Sequence, residues 1–319
     1  MPTFASPLDG SRLFYRLYTP SSTPHKPASA LPIQPLTLVF LHGWPMSSRM
    51  FDQLIIPLVE THRFRVVAPD RRGFGLSRDW ATPETPNGEV TFETFVGDAV
   101  ALLEDVLKRV GPGPFVFVAA SMGGSESVLA RAGSAFLREW CRGFVWMGPN
   151  MPYSVSCEEC PAAPSLEIWH GLLDGFRGAD GKDFIALAIP SVFRTDLGNE
   201  IGTRTLEFFQ RLVCDADPMA VERTAMICQK PMKAELKAMA EAAEKDEKDR
   251  VPVLIMHGDS DTGMPLETSA ALVHELLPWS TLKVYEKAGH GEFAFSQQTG
   301  FGTNLGCRVL LDSLPAGVG

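Results

Sequence analysis

The chain has 319 residues, of which 45% are hydrophobic and 21% are charged, so it is long enough for one large core and a smaller accessory unit. Its 38 acidic and 29 basic side chains give a net charge of −9, the wrong sign for following a phosphate backbone, and nucleic acid is therefore not expected as a partner. The six cysteines are too sparse for a disulfide framework, and no apolar run approaches the roughly 18 residues of a membrane span. We expect a cytoplasmic protein without an integral membrane segment.

Apolar runs of strand length recur along the chain. In order, they cover residues 13–18, 36–41, 64–68, 115–120, 144–147, 253–256 and 282–285. Apolar runs without polar alternation are typical of strands that are buried on both faces. Amphipathic helices are predicted after Thr91, after Ser121 and over 270–277, and the first of them should end at Gly111. Strands that alternate with helices predict an α/β fold with a mostly parallel, doubly wound sheet.

The alternation of strands and helices stops between residues 150 and 231. Aromatic residues, prolines and short helical patterns at 166–173 and 202–213 occur there without strand runs. We interpret this segment as an inserted helical cap, although irregular packing against the sheet would give a similar pattern. The predicted organisation is thus a first part of the core at 1–149, a cap at 150–231 and a second part of the core at 232–319.

A serine stands between a predicted strand and a predicted helix in the string VAASMGG, residues 118–124. A serine exposed on such a sharp turn needs neighbours without bulk two residues before and after it, and Ala119 and Gly123 meet that need. The usual pattern has a glycine in the position of Ala119. We predict that Ser121 is a nucleophile; the alternative is an ordinary helix N-cap.

A serine hydroxyl needs a base to take its proton and an acid to orient that base. Two later strand ends supply candidates, because Asp261 follows the strand at 253–256 and His290 follows the strand at 282–285. The carboxyl ends of parallel strands meet at one edge of a sheet, so both side chains can converge on Ser121. Asp259 is the competing candidate for the acid.

The order serine, aspartate, histidine, together with HGWP at 42–45 and DRRGFGLS at 70–77, resembles the α/β-hydrolase superfamily. More narrowly, these strings are similar to the cofactor-free serine haloperoxidase and esterase branch. The resemblance implies the α/β-hydrolase fold, with Ser121 as nucleophile, His290 as general base and acid, and Asp261 as the carboxylate that orients His290. It also implies an oxyanion hole made by the backbone N–H groups of Trp44 and Met122, and no cofactor.

For His42 the resemblance implies support of the HGWP loop, with proton transfer as the less favoured alternative. The arginines of the DRRG string lack the spacing of the glycine-rich loops that cradle phosphate, and we interpret that string as a structural turn beside the site.

The activity that the resemblance implies is hydrolysis of a small apolar carboxylic ester or lactone through an acyl-serine intermediate. Haloperoxidase or perhydrolase activity, or acyl transfer, would use the same residues. A ligand-binding pseudoenzyme or receptor is the alternative of another class.

Four residues of the predicted cap are expected in the substrate pocket, namely Met151, Tyr153, Trp169 and His170. Cys157 and Cys160 form a single C-x-x-C pair, whereas a tetrahedral zinc site needs four ligands, so no metal is expected. The role of this cysteine pair stays open at this point.

Overall fold

The computed structural model describes residues 2–21, 36–178 and 181–291. Eight strands of this part of the chain form one sheet: β1 (Thr3–Ala5), β2 (Arg12–Tyr18), β3 (Thr37–Leu41), β4 (Arg65–Pro69), β5 (Phe115–Ala120), β6 (Cys141–Met147), β7 (Val253–Gly258) and β8 (Thr281–Tyr285). Across the sheet the strands stand in the order β1-β2-β4-β3-β5-β6-β7-β8. The pairs β1–β2 and β2–β4 are antiparallel, and all the other pairs are parallel. The predicted α/β fold with a mostly parallel sheet is confirmed.

Helices cover both faces of the sheet. Those outside the predicted cap are α1 (Asp52–Glu60), α2 (Phe92–Arg109), α3 (Met122–Gly133), α4 (Ala135–Trp140), α10 (Lys233–Lys245) and α11 (Ala270–Leu276), and those within it are α5 (Leu166–Arg177), α6 (Lys182–Leu187), α7 (Ile189–Val192), α8 (Thr203–Asp215) and α9 (Pro218–Ile227). Short 3-10 turns cover Ser48–Phe51, Pro86–Gly88, Thr195–Leu197, Glu247–Asp249 and Leu266–Thr268.

Strand β3 shows why the strands lack polar alternation. All five of its residues are buried. Leu38 and Phe40 belong to the apolar cluster on one face of the sheet, whereas Val39 and Leu41 belong to the cluster on the other face. A strand covered on both sides carries apolar side chains on both faces, and residues 38–41 of β3 are apolar without interruption.

Helix α2 begins and ends as its sequence predicts. The hydroxyl of Thr91 accepts a hydrogen bond from the backbone N–H of Thr94, and the hydroxyl of Thr94 accepts one from the N–H of Thr91. This reciprocal capping box satisfies two N–H groups that have no partner within the helix. The helix ends at Arg109, just before Gly111, whose φ of 96° suits glycine.

Helices α5–α9 follow one another between β6 and α10, and the described residues of this segment hold no strand except an isolated bridge between Cys157 and Cys160. Apolar side chains of these helices, such as Phe176 and Phe209, share one cluster with Val118 and Met147 of the sheet. The division of the chain into 1–149, 150–231 and 232–319 stays a prediction. No described helix is both long and apolar enough to cross a lipid bilayer.

The DRRG string contributes Arg72 to a buried network of ion pairs, which is consistent with a structural turn. Arg72 is completely buried, and its guanidinium donates to Asp98 at 2.6 and 2.9 Å and to Asp9 at 2.8 and 3.3 Å. It also donates to the carbonyl of Trp80 at 3.1 Å. Arg72 therefore ties the turn after β4 to the loop after β1 and to helix α2.

We predict that Arg72→Ala lowers the free energy of unfolding by about 3 to 5 kcal/mol, because it leaves two buried carboxylates without their cation. Arg211→Ala, at an exposed position of α8, is the control and should stay within about 0.5 kcal/mol of the wild type. Urea denaturation of both variants measures the difference. A loss below about 1 kcal/mol for Arg72→Ala would contradict this account.

Candidate active site

Ser121 lies on the sharp turn between β5 and α3. Its φ of 50° and ψ of −121° are unusual for a residue other than glycine, and such strain costs about 1 to 3 kcal/mol. The turn is held because the N–H of Ser121 donates to the carbonyl of Met147 at 2.9 Å, and the carbonyl of Ser121 accepts from the N–H of Gly124 at 2.9 Å. A Cβ at Gly123 would lie 2.4 Å from the carbonyl oxygen of Leu41, so only glycine lets α3 approach the sheet this closely.

The side chain of Ser121 is not used to cap the helix. Ser121 occupies the N-cap position of α3, yet its hydroxyl makes no capping hydrogen bond. The geometry therefore does not support the alternative in which this serine is only an N-cap. The residue lines a cavity at the edge of the sheet instead.

Asp261 and His290 meet in front of the carboxyl ends of β7 and β8. The Oδ2 atom of Asp261 lies 2.6 Å from Nδ1 of His290. The Oδ1 atom accepts hydrogen bonds from the N–H groups of Gly263 at 2.9 Å and Met264 at 2.8 Å. The carboxylate is completely buried, so its orientation is set by these contacts. Asp261 is thus placed to fix the imidazole with Nδ1 protonated.

Asp259, the competing acid, is placed differently. Its Oδ1 atom accepts from the N–H of Lys287 at 2.7 Å and from the hydroxyl of Ser260 at 2.8 Å. Asp259 is exposed and connects the loop after β7 to the loop after β8. This is the loop-holding role that side-chain to backbone hydrogen bonds of aspartate commonly have.

Asp261 and His290 shift each other's pKa. Burial by itself lowers the pKa of His290, but the charge and the hydrogen bond of Asp261 outweigh it and raise that pKa above the ordinary 6.5. Burial by itself raises the pKa of Asp261, but the two histidines beside it and its hydrogen bonds hold it below the ordinary value of 3.8. Asp261 is therefore ionised near neutral pH, and it favours the protonated form of His290.

Trp44 and Met122, the residues with the predicted oxyanion-hole amides, line the same cavity as Ser121. Met122 is the first residue of α3, so its N–H has no acceptor within the helix. Trp44 stands in the HGWP loop, and its indole Nε1–H donates to the carbonyl of Val221 in α9 at 2.8 Å. This bond holds the loop against a helix of the predicted cap.

The cavity has a volume of about 450 Å³ and is bounded by the sheet edge and the helices between β6 and α10. Ser121, Asp261 and His290 all line it. The rest of the wall is mainly apolar and includes Met46, Met50, Met122, Met147, Ile168, Trp169, Leu172, Phe184, Ile185, Ile189, Val192, Phe193, Phe209 and Met264. Ile168 and Phe184 are 60% and 38% exposed, so they mark its mouth.

Of the four residues predicted for the pocket, Trp169 lines the cavity and the other three lie elsewhere. Met151 is buried in the apolar cluster on the opposite face of the sheet. Tyr153 packs in a separate small cluster, and its hydroxyl donates to Glu159 at 2.6 Å. His170 is exposed, because successive helical residues point roughly 100° apart and Trp169 takes the inward direction.

His42 supports the loop, as the resemblance implied. Its Nε2 atom accepts a hydrogen bond from the N–H of Arg71 at 3.0 Å, and its Nδ1 atom lies 3.0 Å from the carbonyl of Gly43. Burial and the charge of Arg71 lower the pKa of His42 well below 6.5, so the imidazole is neutral. Arg71 in turn donates to the buried carboxylate of Glu126. His42 does not line the cavity.

His257 is a residue of the site that the sequence did not single out. It is completely buried, with Nε2 2.7 Å from the carbonyl of Met264 and 3.4 Å from Oδ2 of Asp261. Burial lowers its pKa, so the neutral ring donates from Nε2 to Met264 and supports the loop that carries Asp261. The sequence signal was its position at the end of β7, but only the fold shows that it faces Asp261. Among the described residues, no group of three or more His, Cys, Asp or Glu side chains could hold a metal ion.

The fold and the site together define a hydrolase-type α/β protein, in which a serine, an aspartate and a histidine come from three strand ends. Comparison with known proteins agrees with that class. Residues 37–296 match the family model described as the alpha/beta hydrolase fold. The chain therefore belongs to the α/β-hydrolase family.

Relatives and solved structures give further similarities. The chain is 29% identical over 296 residues to a non-heme haloperoxidase of Rhodococcus erythropolis. The aligned residues cover 90% of this chain and 92% of that protein. The bromoperoxidase from Bacillus anthracis superposes with a TM-score of 0.76 at 22% identity, covering 98% and 99% of the two chains. An esterase from Exiguobacterium antarcticum also has a TM-score of 0.76, at 20% identity and with 98% of each chain covered.

The hydrogen bond between Asp261 and His290 predicts a particular pH dependence. A base must be deprotonated to act, so kcat/KM of the wild type should rise with pH through a value above 6.5. In Asp261→Asn the charge that raises the pKa of His290 is lost, so this acid limb should move to lower pH. We also expect kcat to fall about 10⁴-fold, because the amide no longer holds the correct tautomer.

Asp259→Asn is the matched control and should leave the acid limb in place. Initial rates on an activated aryl ester across the pH range measure both variants. A larger loss in Asp259→Asn than in Asp261→Asn would reassign the acid.

Proposed function

We propose that this protein hydrolyses uncharged carboxylic esters or lactones through an acyl-enzyme at Ser121. The observation that carries the proposal is the 2.6 Å contact between Asp261 and His290 at the wall of the cavity that Ser121 also lines. The similarity to an esterase and to haloperoxidases of the same family supports it.

In the proposed reaction, Nε2 of His290 takes the proton of the Ser121 hydroxyl while the oxygen attacks the ester carbonyl. The negative charge that develops on the carbonyl oxygen is stabilised by the N–H groups of Trp44 and Met122, each worth about 3 to 4 kcal/mol. His290 then gives the proton to the leaving alcohol. In the second half, His290 activates water, which attacks the acyl-serine and releases the acid.

Asp261 remains ionised throughout this cycle. It holds Nδ1 of His290 and stabilises the imidazolium that forms when Ser121 loses its proton. Its lowered pKa and its two backbone N–H contacts support that role, because both favour the carboxylate over the acid.

The proposed substrate is uncharged because no charged side chain among the described residues that line the cavity is left to pair with it. Among the described residues that line it, Asp261 is the only charged side chain apart from the titratable His290, and it is already bound to His290. A substrate carboxylate or phosphate would be transferred from water into an apolar wall without a counter-ion, at a cost of several kcal/mol.

Hydrogen peroxide could resolve the same acyl-serine and give a peracid, and the names of the relatives point to such chemistry. Five methionines weigh against it as the main reaction: Met46, Met50, Met122, Met147 and Met264 all line the cavity. Oxidants convert methionine thioethers into polar sulfoxides, so sustained peracid formation would change the apolar wall that binds the substrate. We therefore favour water as the acceptor.

We predict that Ser121→Ala lowers kcat by about 10⁴- to 10⁶-fold and abolishes labelling by a fluorophosphonate probe, since the nucleophile is gone. Ser191→Ala is the control, because Ser191 also lines the cavity but its hydroxyl donates to the carbonyl of Ala188. That variant should label like the wild type. Mass spectrometry of the labelled peptide identifies the modified serine.

If the wild-type protein stays unlabelled while binding an ester analogue, the receptor or pseudoenzyme alternative is correct. If Ser121→Ala keeps about a tenth of the wild-type rate, Ser121 is not the nucleophile.

We expect the protein to discriminate strongly against esters that carry a charge. We expect kcat/KM for ethyl hexanoate to exceed that for monoethyl adipate, which carries a carboxylate at the far end of a chain of equal length, by about 100-fold or more. Ile168→Lys would place an ammonium group at the exposed mouth and should reduce this ratio. Ile168→Gln, which adds polarity without charge, should leave it nearly unchanged.

Release of acid from both esters, followed in a pH-stat, measures the ratio. Equal rates on the two esters would refute the uncharged-substrate proposal while leaving the Ser121 mechanism intact.

A further inference from the structure

Cys157 and Cys160 stand at the two ends of a tight turn between β6 and α5. The N–H of Cys157 donates to the carbonyl of Cys160 at 3.3 Å, and the N–H of Cys160 donates to the carbonyl of Cys157 at 3.1 Å. The two residues therefore form a hydrogen-bonded antiparallel pair, with Glu158 and Glu159 as the turn. Both cysteines are present as free thiols.

Such a pair has the spacing that a disulfide needs. In a hydrogen-bonded antiparallel pair the Cα atoms are about 5.5 Å apart and the two side chains stand on the same face of the turn. Disulfides form at Cα separations of about 4.4 to 6.8 Å. The turn therefore places the two Cα atoms at a separation that a disulfide can span.

The two thiols differ in their access to solvent. Cys157 is exposed, whereas Cys160 is 7% exposed and packs with Tyr153, Ala163 and Leu272. An exposed thiol can meet a small reagent first, and the protected thiol beside it can then react with the product. These are the roles of an attacking cysteine and a resolving cysteine.

The other three described cysteines are less suited to oxidation. Burial raises the pKa of the Cys141 thiol to about 11 and that of Cys228 to about 12. Burial and the carboxylate of Asp183 also raise the pKa of Cys214. The thiolate is the reactive form, so these side chains react slowly near neutral pH. Cys307 lies outside the described residues.

We propose that Cys157 and Cys160 are a dithiol site that hydrogen peroxide or an organic hydroperoxide converts into a disulfide. The thiolate of Cys157 attacks one peroxide oxygen, the O–O bond breaks, and the sulfur becomes a sulfenic acid while the other oxygen leaves as water or an alcohol. Cys160 then attacks that sulfur, the S–S bond forms and water leaves. The two thiols lose two electrons in total and the peroxide gains them. Two equivalents of a small thiol then reduce the disulfide to the dithiol by exchange and are themselves joined in a disulfide.

The position of the turn links this modification to the wall of the cavity. The N–H of Ser156, next to Cys157, donates to the carbonyl of Pro164 at 2.8 Å. Pro164 lines the cavity, and so does Trp169 in the helix that follows. A disulfide would stabilise the loop between these contacts, so amide hydrogen exchange over 156–164 should slow on oxidation and recover on reduction. The inference is independent of the proposed hydrolytic function.

Peptide mass spectrometry of the intact chain tests the site directly. Trypsin releases residues 143–177 as one peptide that contains Cys157 and Cys160 and no other cysteine. After brief exposure to stoichiometric hydrogen peroxide, this peptide should lose the mass of two hydrogens and stop reacting with iodoacetamide. Cleavage after Glu158 or Glu159 should then leave two fragments that remain joined until dithiothreitol is added.

Single-cysteine variants test whether Cys157 pairs with Cys160 or with another cysteine. Cys157→Ser, at an exposed position, and Cys160→Ser should each abolish the mass loss, whereas Cys214→Ser and Cys307→Ser should keep it. A disulfide from Cys157 to Cys214 or Cys307 would overturn the proposal. Accumulation of sulfinic acid at Cys157 in the wild type, without an S–S bond, would overturn it as well.

Discussion

Parallel pairing of β5, β6, β7 and β8 is the constraint on which the candidate site depends. It places the carboxyl ends of these neighbouring strands along one edge and so gathers Ser121, Asp261 and His290 from distant parts of the chain. β6 lies between the serine strand and the aspartate strand, and its last residue, Met147, is followed by Gly148. A Cβ there would lie 3.0 Å from the carbonyl oxygen and 3.3 Å from Nδ1 of His290, so glycine leaves the room in which the imidazole crosses that strand end.

Much of this arrangement could be predicted because its signals are local. The buried strands are continuous apolar runs, and Ser121, Asp261 and His290 each follow such a run within a recognisable string. Strand β1 and helix α1 are among the elements that escaped this reasoning, and each did so for a physical reason. Strand β1, Thr3–Ala5, is too short to show a period and exists through its pairing with β2. Helix α1 contains Pro57, which normally predicts the end of a helix, but its neighbours Leu58 and Val59 are buried in the apolar cluster of the sheet.

The lining of the cavity was less predictable than the candidate reacting groups. Met151 and Tyr153 follow β6 at the same edge of the sheet as the candidate site. The path of the chain after that strand, however, packs both side chains into other clusters. Trp169 and His170 are neighbours in sequence, and only the packing of α5 decides which of them faces inward. His257 shows the same dependence, because its contact with Asp261 forms only when the loop after β7 is folded. Local strings specify chemistry, whereas tertiary packing specifies the walls around it.

The indole bond from Trp44 to the carbonyl of Val221 joins the HGWP loop to α9. The amide of Trp44 and the position of α9 therefore do not vary independently. A sequence change that displaces α9 to admit a larger substrate also displaces the loop that would face the reacting carbonyl oxygen. Under the proposed function, this single hydrogen bond would couple the shape of the cavity to the position of the loop that stabilises the reacting oxygen.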